Sequence, residues 1–244
     1  MTSIDIKGLT KCFGDRTAVD GLTLSIEDGE LFSLLGVNGA GKTTTIRMLT
    51  GLLPPDGGDA ELLGCSIVSD PGVMKPWVAV SPQESAIAPN LTVEENLHLM
   101  AGIYSMEKDY AREKIPEVMA AFGLDEYAGK RAKTLSGGWQ RRLSIAMALV
   151  TEPRILFLDE PTLGLDVLAR RELWAVINGL KGKVTVVLTT HYMEEAEALS
   201  DRIGIMAKGT LRAVGTPAEL IARTGADNFE DAFVRIAQEG RAVL

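Results

Sequence analysis

A glycine-rich segment of eight residues constrains the fold of this chain more than any other feature. The segment runs Gly36-Val37-Asn38-Gly39-Ala40-Gly41-Lys42-Thr43, which fits the pattern G-x-x-x-x-G-K-T. A pattern typical of a buried strand comes directly before it, at residues 31–35. A helical pattern follows from Thr43, with apolar residues on one face at Ile46, Leu49 and Leu53. Strand, glycine loop and helix in this order are the context that a phosphate-binding loop requires.

The chemistry of this loop follows from its residue types. Glycine adopts backbone angles that other residues avoid, so consecutive amide groups can point inward at phosphate oxygens. The helix that starts near Lys42 adds the positive end of its dipole. Lys42 would then reach the β- and γ-phosphates of a nucleotide, and the Thr43 hydroxyl would be a ligand of Mg²⁺. An accidental match by a glycine-rich turn is expected in only about one random chain of this length in a hundred.

Two acidic residues follow a second apolar strand pattern. Residues 155–158 read Ile-Leu-Phe-Leu, and Asp159 and Glu160 come next. Ligands of open α/β sheets gather at the carboxyl ends of the strands, which is where these carboxylates would lie. We predict that Asp159 helps to hold Mg²⁺ and that Glu160 orients and partly deprotonates an attacking water. Taken alone, the two acids are more simply interpreted as solvated residues at the end of a strand. The phosphate loop in the same chain favours the catalytic interpretation.

Short buried strands alternate with helices along most of the chain, which predicts the α/β fold of a P-loop NTPase with a largely parallel core sheet. The alternating pattern of the first thirty residues adds an N-terminal antiparallel β piece. An inserted helical subdomain is indicated by a capping box at Thr92 and Glu95 and by apolar residues at helical spacing. The second of these apolar sets would be kinked by Pro116, unless Pro116 lies near the start of its helix; its members are Ile115, Val118, Met119 and Phe122. The predicted domain spans 1–222, with a core at about 1–84 and 151–222, the helical subdomain at about 85–150, and a short helical tail at 223–244.

Composition narrows the classes of protein that fit. The formal net charge of −8 gives a nucleic-acid partner no support from the overall field. No apolar run approaches the roughly 20 residues needed to cross a bilayer, and the N-terminus lacks the pattern of a secretory signal. Cys12 and Cys65 lie far apart without metal-ligand spacing, so we interpret them as the reduced thiols of a cytosolic protein.

Further segments resemble the motifs of one family, the ATP-binding-cassette (ABC) ATPases, in the right order over about residues 3–215. They are the signature sequence at 135–140, the Q-loop at 81–84, the D-loop at 162–166, the switch histidine at 191, and Phe13 for the aromatic residue that stacks on adenine. Each has a simpler interpretation by itself. Ser136 could cap an ordinary helix, Gln83 could be a surface residue, and His191 and Phe13 could be structural. Together the motifs favour the resemblance.

The resemblance implies a site shared by two chains. Two ATP molecules would be held in a head-to-tail dimer, which could be a homodimer or a heterodimer. One chain would supply Lys42 and Glu160, and its partner would supply Ser136, Gly137 and Gly138. His191 would donate to the γ-phosphate, and Gln83 would contact Mg²⁺ or the water. The implied nucleotide contacts in the same chain are Phe13, Val19, Gly36, Asn38, Gly39, Ala40, Gly41, Lys42, Thr43 and Thr44. The implied Mg²⁺ ligands are Thr43, Gln83 and Asp159, and the implied catalytic residues are Lys42, Gln83, Glu160 and His191.

Three residues depart from the family pattern. Trp139 stands where many members have glutamine, Leu163 occupies a D-loop position that is often small and polar, and Phe13 replaces the commoner tyrosine. None of these changes removes a group that the predicted site uses to bind phosphate, to take a proton or to hold a metal ion. We expect these departures to affect the contacts with the partner chain and the rate of ATP hydrolysis.

Residues 190–196 and 228–233 resemble the ATPases of bacterial drug and polysaccharide exporters. The resemblance then implies an ATPase that works for a separate integral membrane permease, at the cytoplasmic face of the membrane, without a nucleic-acid partner. The permease would dock on the Gln83 loop and residues 90–104. Two alternatives stay open: a soluble ABC ATPase acting on ribosomes or DNA, and a non-hydrolysing nucleotide sensor. The former usually carry two cassettes or basic patches, and Glu160 and His191 argue against the latter.

Overall fold

A computed structural model describes residues 1–239 of the chain, and over that range the chain forms ten β-strands and eight α-helices. Internal contacts divide it into two compact units. The first comprises residues 1–74 together with those from 181 on, and the second comprises residues 75–180. The mixed α/β fold with antiparallel and parallel strands confirms the predicted fold class.

The first unit begins with an antiparallel sheet. Its strands are β1 (Thr2–Phe13), β2 (Arg16–Glu27), β4 (Gly57–Leu62) and β5 (Cys65–Ser66), in the order β2-β1-β4-β5. Alternate residues of β1 face the core, since Ile4 and Ile6 are almost fully buried and pair with Ile26 and Leu24 of β2. This period of two is the pattern that predicted the antiparallel piece. Cys12 and Cys65 are both free thiols.

The same unit contains parallel strands that lead to the phosphate loop. They are β3 (Leu31–Leu35), β8 (Thr185–Thr190) and β9 (Arg202–Ala207), with β10 (Thr210–Gly215) antiparallel to β9. All five residues of β3 are buried, as expected of a strand covered on both faces. The helices of this unit are α1 (Lys42–Leu49), α6 (Met193–Leu199), α7 (Pro217–Thr224) and α8 (Phe229–Gln238).

The second unit joins two parallel strands to four helices. The elements are β6 (Val78–Ser81), β7 (Ile155–Asp159), α2 (Val93–Ile103), α3 (Lys108–Phe122), α4 (Gly137–Leu149) and α5 (Val167–Asn178). The capping box predicted at Thr92 and Glu95 is present at the start of α2, where each side chain accepts from the other's backbone amide. Pro116 lies in the interior of α3, so that helix lacks the backbone bond that a donor at this position would make. Gly123 ends α3 in the left-handed conformation.

Some details differ from the sequence prediction. Leu53 lies beyond the end of α1, because the chain turns at Gly51, whose φ is 70°. Strands β4 and β6 were not predicted, since β4 carries glycines and charged residues and β6 has only four residues. Helix α8 falls within the predicted tail, and residues 240–244 of that tail lie outside the described residues. The proposed boundaries of the helical subdomain stay a prediction. Among the described helices, none is long and apolar enough to cross a membrane.

An ion pair links α3 to the turn that follows α4. The Lys114 ammonium lies 2.7 Å from Glu152 Oε1, and the Tyr110 hydroxyl donates to Oε2 of the same carboxylate. Both donors favour the charged carboxylate, Lys114 more strongly, so they hold the pKa of Glu152 below its ordinary value of 4.5. An acid with a lowered pKa stabilises the fold above its unfolded pKa, and this contribution is lost as pH falls through the folded pKa.

We therefore expect Glu152→Gln to lower the free energy of unfolding at pH 7 by about 0.5–1 kcal/mol, a small effect because the pair is partly exposed. The difference between native and variant chains should shrink as pH falls from 4.5 through the lower pKa of the folded state, because the native carboxylate becomes protonated over that range. Urea denaturation at several pH values measures it. Glu126→Gln, which changes an exposed acid of the same unit, serves as the control. A difference that is independent of pH would contradict the prediction.

Candidate active site

The phosphate loop of the first unit is shaped by close approaches of backbone to backbone. Gly41 adopts a φ of 107°, and a Cβ at this position would lie 2.4 Å from the carbonyl oxygen of Ala18. A Cβ at Gly36 would lie 2.4 Å from the carbonyl oxygen of Met206. Because side chains cannot fit at either position, glycine is required there for steric reasons. The loop leaves β3 and enters α1 at Lys42, as the sequence predicted.

The turn between β9 and β10 supports this loop from one side. The Gly209 amide donates to the Ala40 carbonyl at 3.0 Å, and the Asp20 amide of β2 donates to the Gly209 carbonyl at 2.9 Å. Val19 is fully buried, and its Cγ2 lies 3.3 Å from the position that a Gly41 Cβ would take. Val19 therefore packs against the loop, and its contact with a nucleotide stays a prediction.

Lys42 turns back across the start of the loop. Its buried Nζ donates to the Gly36 carbonyl at 2.7 Å and to the Val37 carbonyl at 3.3 Å. The ammonium is thereby held inside the loop, the position from which it would reach phosphate oxygens. Asn38, Gly39 and Thr43 are exposed, Thr44 is half-buried and Ala40 is buried.

The loop is tied to the strand that carries the switch histidine. Leu35 pairs with Thr190 across β3 and β8, and the Gly36 amide donates to the Thr190 carbonyl at 3.2 Å. His191 follows Thr190 directly, and its ring centroid lies 4.1 Å from that of Tyr192. The structure thus brings His191 to the strand end beside the loop, within one unit, as the sequence predicted for this type of sheet.

Phe13 lies at the end of β1, where the chain turns into β2. Its side chain is 51% exposed, so the alternative that it packs in the core is excluded. The exposed ring can stack on a flat ligand. Arg16, which pairs with Phe13 across the turn, donates to the Gly39 carbonyl of the phosphate loop at 3.4 Å. Sequence reasoning missed Arg16, because no motif marks an arginine at this position.

In the second unit, two parallel strands deliver the remaining polar groups to one sheet edge. Ser81 pairs with Leu158 near the ends of β6 and β7, so Gln83 comes just after the end of β6 and Asp159 is the last residue of the neighbouring β7. Asp159 and Glu160 are buried, whereas Gln83 is exposed. Glu160 has a φ of 46°, a backbone conformation that a residue with a side chain adopts only at a cost. Buried acids and strained backbone of this kind concentrate at functional sites.

Helix α4 begins at Gly137 with Ser136 at its N-cap, close to the predicted span of 136–150. The Ser136 side chain makes no capping hydrogen bond, and Ser136 and Gly137 are exposed. The first amides of α4 and its dipole are therefore presented outward, which suits an anion supplied from outside. Trp139 packs behind this end: its ring lies 4.4 Å from the Tyr127 ring, and the Arg142 guanidinium lies 4.6 Å above it. Arg142 also pairs with Glu172 of α5 at 2.6 Å.

A glycine loop with an inward lysine, next to a strand that ends at a histidine, defines a P-loop nucleotide-binding protein. Comparison with known proteins narrows this class. Residues 19–163 match the family model described as ABC transporter. A solved structure titled "Structure of ATP binding subunit of ABC transporter" superposes with a TM-score of 0.86 at 28% identity, covering 96% of this chain and 99% of that one. The chain belongs to the ABC transporter family and has the fold of its ATP-binding domain.

Two relatives carry names that specify a role. The chain is 43% identical to the "Probable multidrug ABC transporter ATP-binding protein YbhF" of Escherichia coli (strain K12), over 98% of this chain and 42% of YbhF. It is 41% identical to the "Daunorubicin/doxorubicin resistance ATP-binding protein DrrA" of Streptomyces peucetius, over 92% of this chain and 68% of DrrA. The chain thus spans less than half the length of YbhF and about two thirds of DrrA.

Proposed function

We propose that the chain binds and hydrolyses ATP to drive an ABC transporter, as an exporter subunit that works on a separate membrane permease. The proposal that the chain hydrolyses ATP rests on Glu160. A buried carboxylate in left-handed backbone, placed directly after a strand, is costly for the fold and is retained where a base is needed. The exporter part rests on the names of YbhF and DrrA, which refer to multidrug transport and to drug resistance.

The proposed reaction is an in-line attack of water on ATP. The water oxygen bonds to the γ-phosphorus while the bond from that phosphorus to the β,γ-bridging oxygen breaks, and its electron pair leaves with ADP. Glu160 takes the water proton and passes it to the released phosphate. Lys42 and the loop amides hold the β- and γ-phosphates, Phe13 stacks on adenine, and His191 donates to the γ-phosphate.

The proposal includes Mg²⁺ because the side chains predicted to bind it carry oxygen donors of the right kind. Thr43, Gln83 and Asp159 offer hydroxyl, amide and carboxylate oxygens, which are the donors that Mg²⁺ prefers. Bound together with the nucleotide, Mg²⁺ would neutralise charge on the phosphate oxygens.

The proposal also includes a second ABC ATPase chain. The outward-facing amides at the start of α4 suit a γ-phosphate held by another chain, so Ser136, Gly137 and Gly138 would close over the partner's nucleotide. Two ATP molecules would hold the dimer closed, and loss of the γ-phosphates would let it open and move the permease. We place the chain at the cytoplasmic face of the membrane, with no nucleic-acid partner.

Phosphate release and membrane association test the two parts separately. With Mg-ATP, the native chain should release phosphate, and a chain extracted from membranes in mild detergent should bring a multi-span permease with it. Lys42→Ala is the negative control, because it removes the ammonium that lies inside the loop. A native chain without turnover, even with its permease, would contradict the ATPase, and co-purification with ribosomes instead of membranes would contradict the transporter.

A further inference from the structure

A buried arginine of the second unit joins three segments that the proposed reaction uses. Arg141 lies in the second turn of α4, and only 5% of the residue is exposed. Its Nε donates to the Pro161 carbonyl at 2.9 Å, and its Nη2 donates to the Asp159 carbonyl at 2.7 Å. Its Nη1 donates to the Pro82 carbonyl and, at 3.3 Å, to the Gln83 carbonyl.

These contacts bracket Glu160. The carbonyls of Asp159 and Pro161 belong to the residues on either side of it, and both accept from one rigid, planar guanidinium. A fixed cation between two carbonyls holds the peptide planes around Glu160, and Glu160 has the strained φ of 46°. The remaining nitrogen holds the carbonyls of the Q-loop in the same way.

The other end of the connection is the signature sequence. Arg141 lies four residues after Gly137, where α4 begins, a rise of about 6 Å along one rigid helix. The helix is anchored beneath as well, since the Ser144 and Ser81 hydroxyl oxygens lie 3.0 Å apart between α4 and β6. A shift at the start of α4 therefore reaches the backbone of Glu160 and Gln83 through a single side chain.

From this geometry we propose that Arg141 is a positioning residue, which sets the carboxylate of Glu160 and the amide of Gln83 and couples both to the signature end of α4. The inference rests on the proposed ATPase function. Lysine cannot replace it, because an ammonium is a point donor and cannot span the carbonyls of residues 82–83 and 159–161 at once. Nothing in the proposal requires Arg141 to contact the nucleotide.

Steady-state kinetics of Arg141→Lys test this role. We expect kcat to fall roughly 10- to 100-fold, since a misplaced base loses near-attack geometry. The Kd for a fluorescent ATP analogue should stay at the native value, because the phosphate loop belongs to the other unit. Arg112→Gln, a change at an exposed arginine of α3, is the control and should keep native turnover. If Arg141→Lys does not fold, Arg141→Gln replaces it, since it leaves no buried charge.

A double-mutant cycle and hydrogen exchange separate positioning from general destabilisation. If Arg141 acts through Glu160, adding Arg141→Lys to Glu160→Gln should cost far less turnover than it costs in the native chain. Amide exchange should speed up at residues 83–84 and at 159–160 together, whether or not the chain hydrolyses ATP. Native kcat in a folded Arg141 variant, or unchanged exchange at both segments, would overturn the inference. A native chain without turnover but with the paired exchange response would overturn only the ATPase proposal.

Discussion

Glu160→Gln should abolish nearly all ATP turnover, with a fall in kcat of about 10²- to 10⁴-fold, the contribution typical of a general base. Glutamine has nearly the shape of glutamate and can keep the backbone at its φ of 46°, but it cannot take a proton from water. The buried site therefore keeps its packing and loses its base. Phosphate release measured under saturating Mg-ATP gives the change in kcat.

The same variant should bind ATP with native affinity and accumulate as a dimer, because the γ-phosphate is no longer removed. Size-exclusion chromatography with and without ATP measures the dimer. Glu117→Gln, which neutralises an exposed acid of α3, should behave as the native chain in both assays. A Glu160→Gln chain that still turns over at the native rate would refute the proposed base.

Gly41→Ala should lower the affinity for ATP about 10- to 100-fold. An alanine Cβ at this position lies 2.4 Å from the Ala18 carbonyl oxygen and 2.8 Å from Met206 Cε, and φ is 107°. Strain of this kind costs about 1–3 kcal/mol, and each 1.4 kcal/mol corresponds to tenfold in affinity if the loop leaves its binding conformation to relieve it. The Kd for a fluorescent ATP analogue measures the effect.

Gly64→Ala is the matched control for this experiment. Gly64 has a φ of 80°, but no atom lies within 4 Å of the position its Cβ would take. The control therefore carries backbone strain without a clash and lies outside the phosphate loop. It should lose some stability and keep the native Kd. Equal Kd values for native and Gly41→Ala chains would show that the loop tolerates a Cβ.

The sequence predicted those parts of the fold that depend on local pattern. Full burial of β3 and β7 shows as short segments dominated by large apolar residues, and the capping box of α2 shows as Thr92 followed by Glu95. Pro116 could not be placed, because the start of α3 at Lys108 has no side-chain cap that would mark it. Strand β4 carries two glycines and an aspartate, so its pairing with β1 decides its structure and its composition does not.

The candidate site also contains residues that the sequence could predict and residues that it could not. Chemical roles could be predicted from the sequence for residues of recognisable motifs, such as Lys42, Glu160 and His191. The role of Arg141 could not be predicted, because its partners are backbone carbonyls far away in sequence. Every residue has such a carbonyl, so the sequence does not mark the ones that accept from Arg141. The contact between Trp139 and Tyr127 could not be predicted for a related reason. It depends on the path of the chain after the end of α3, which no local pattern specifies.

The stack around Trp139 also gives the chain an optical property. Of the three tryptophans, Trp77 is 51% exposed, whereas Trp139 contacts an aromatic ring and a guanidinium, three residues after Ser136. Indole emission depends on nearby charge and hydration. With Trp77 and Trp174 replaced by phenylalanine, Trp139 would be the single tryptophan, and its fluorescence would follow the signature end of α4 in real time without an attached dye.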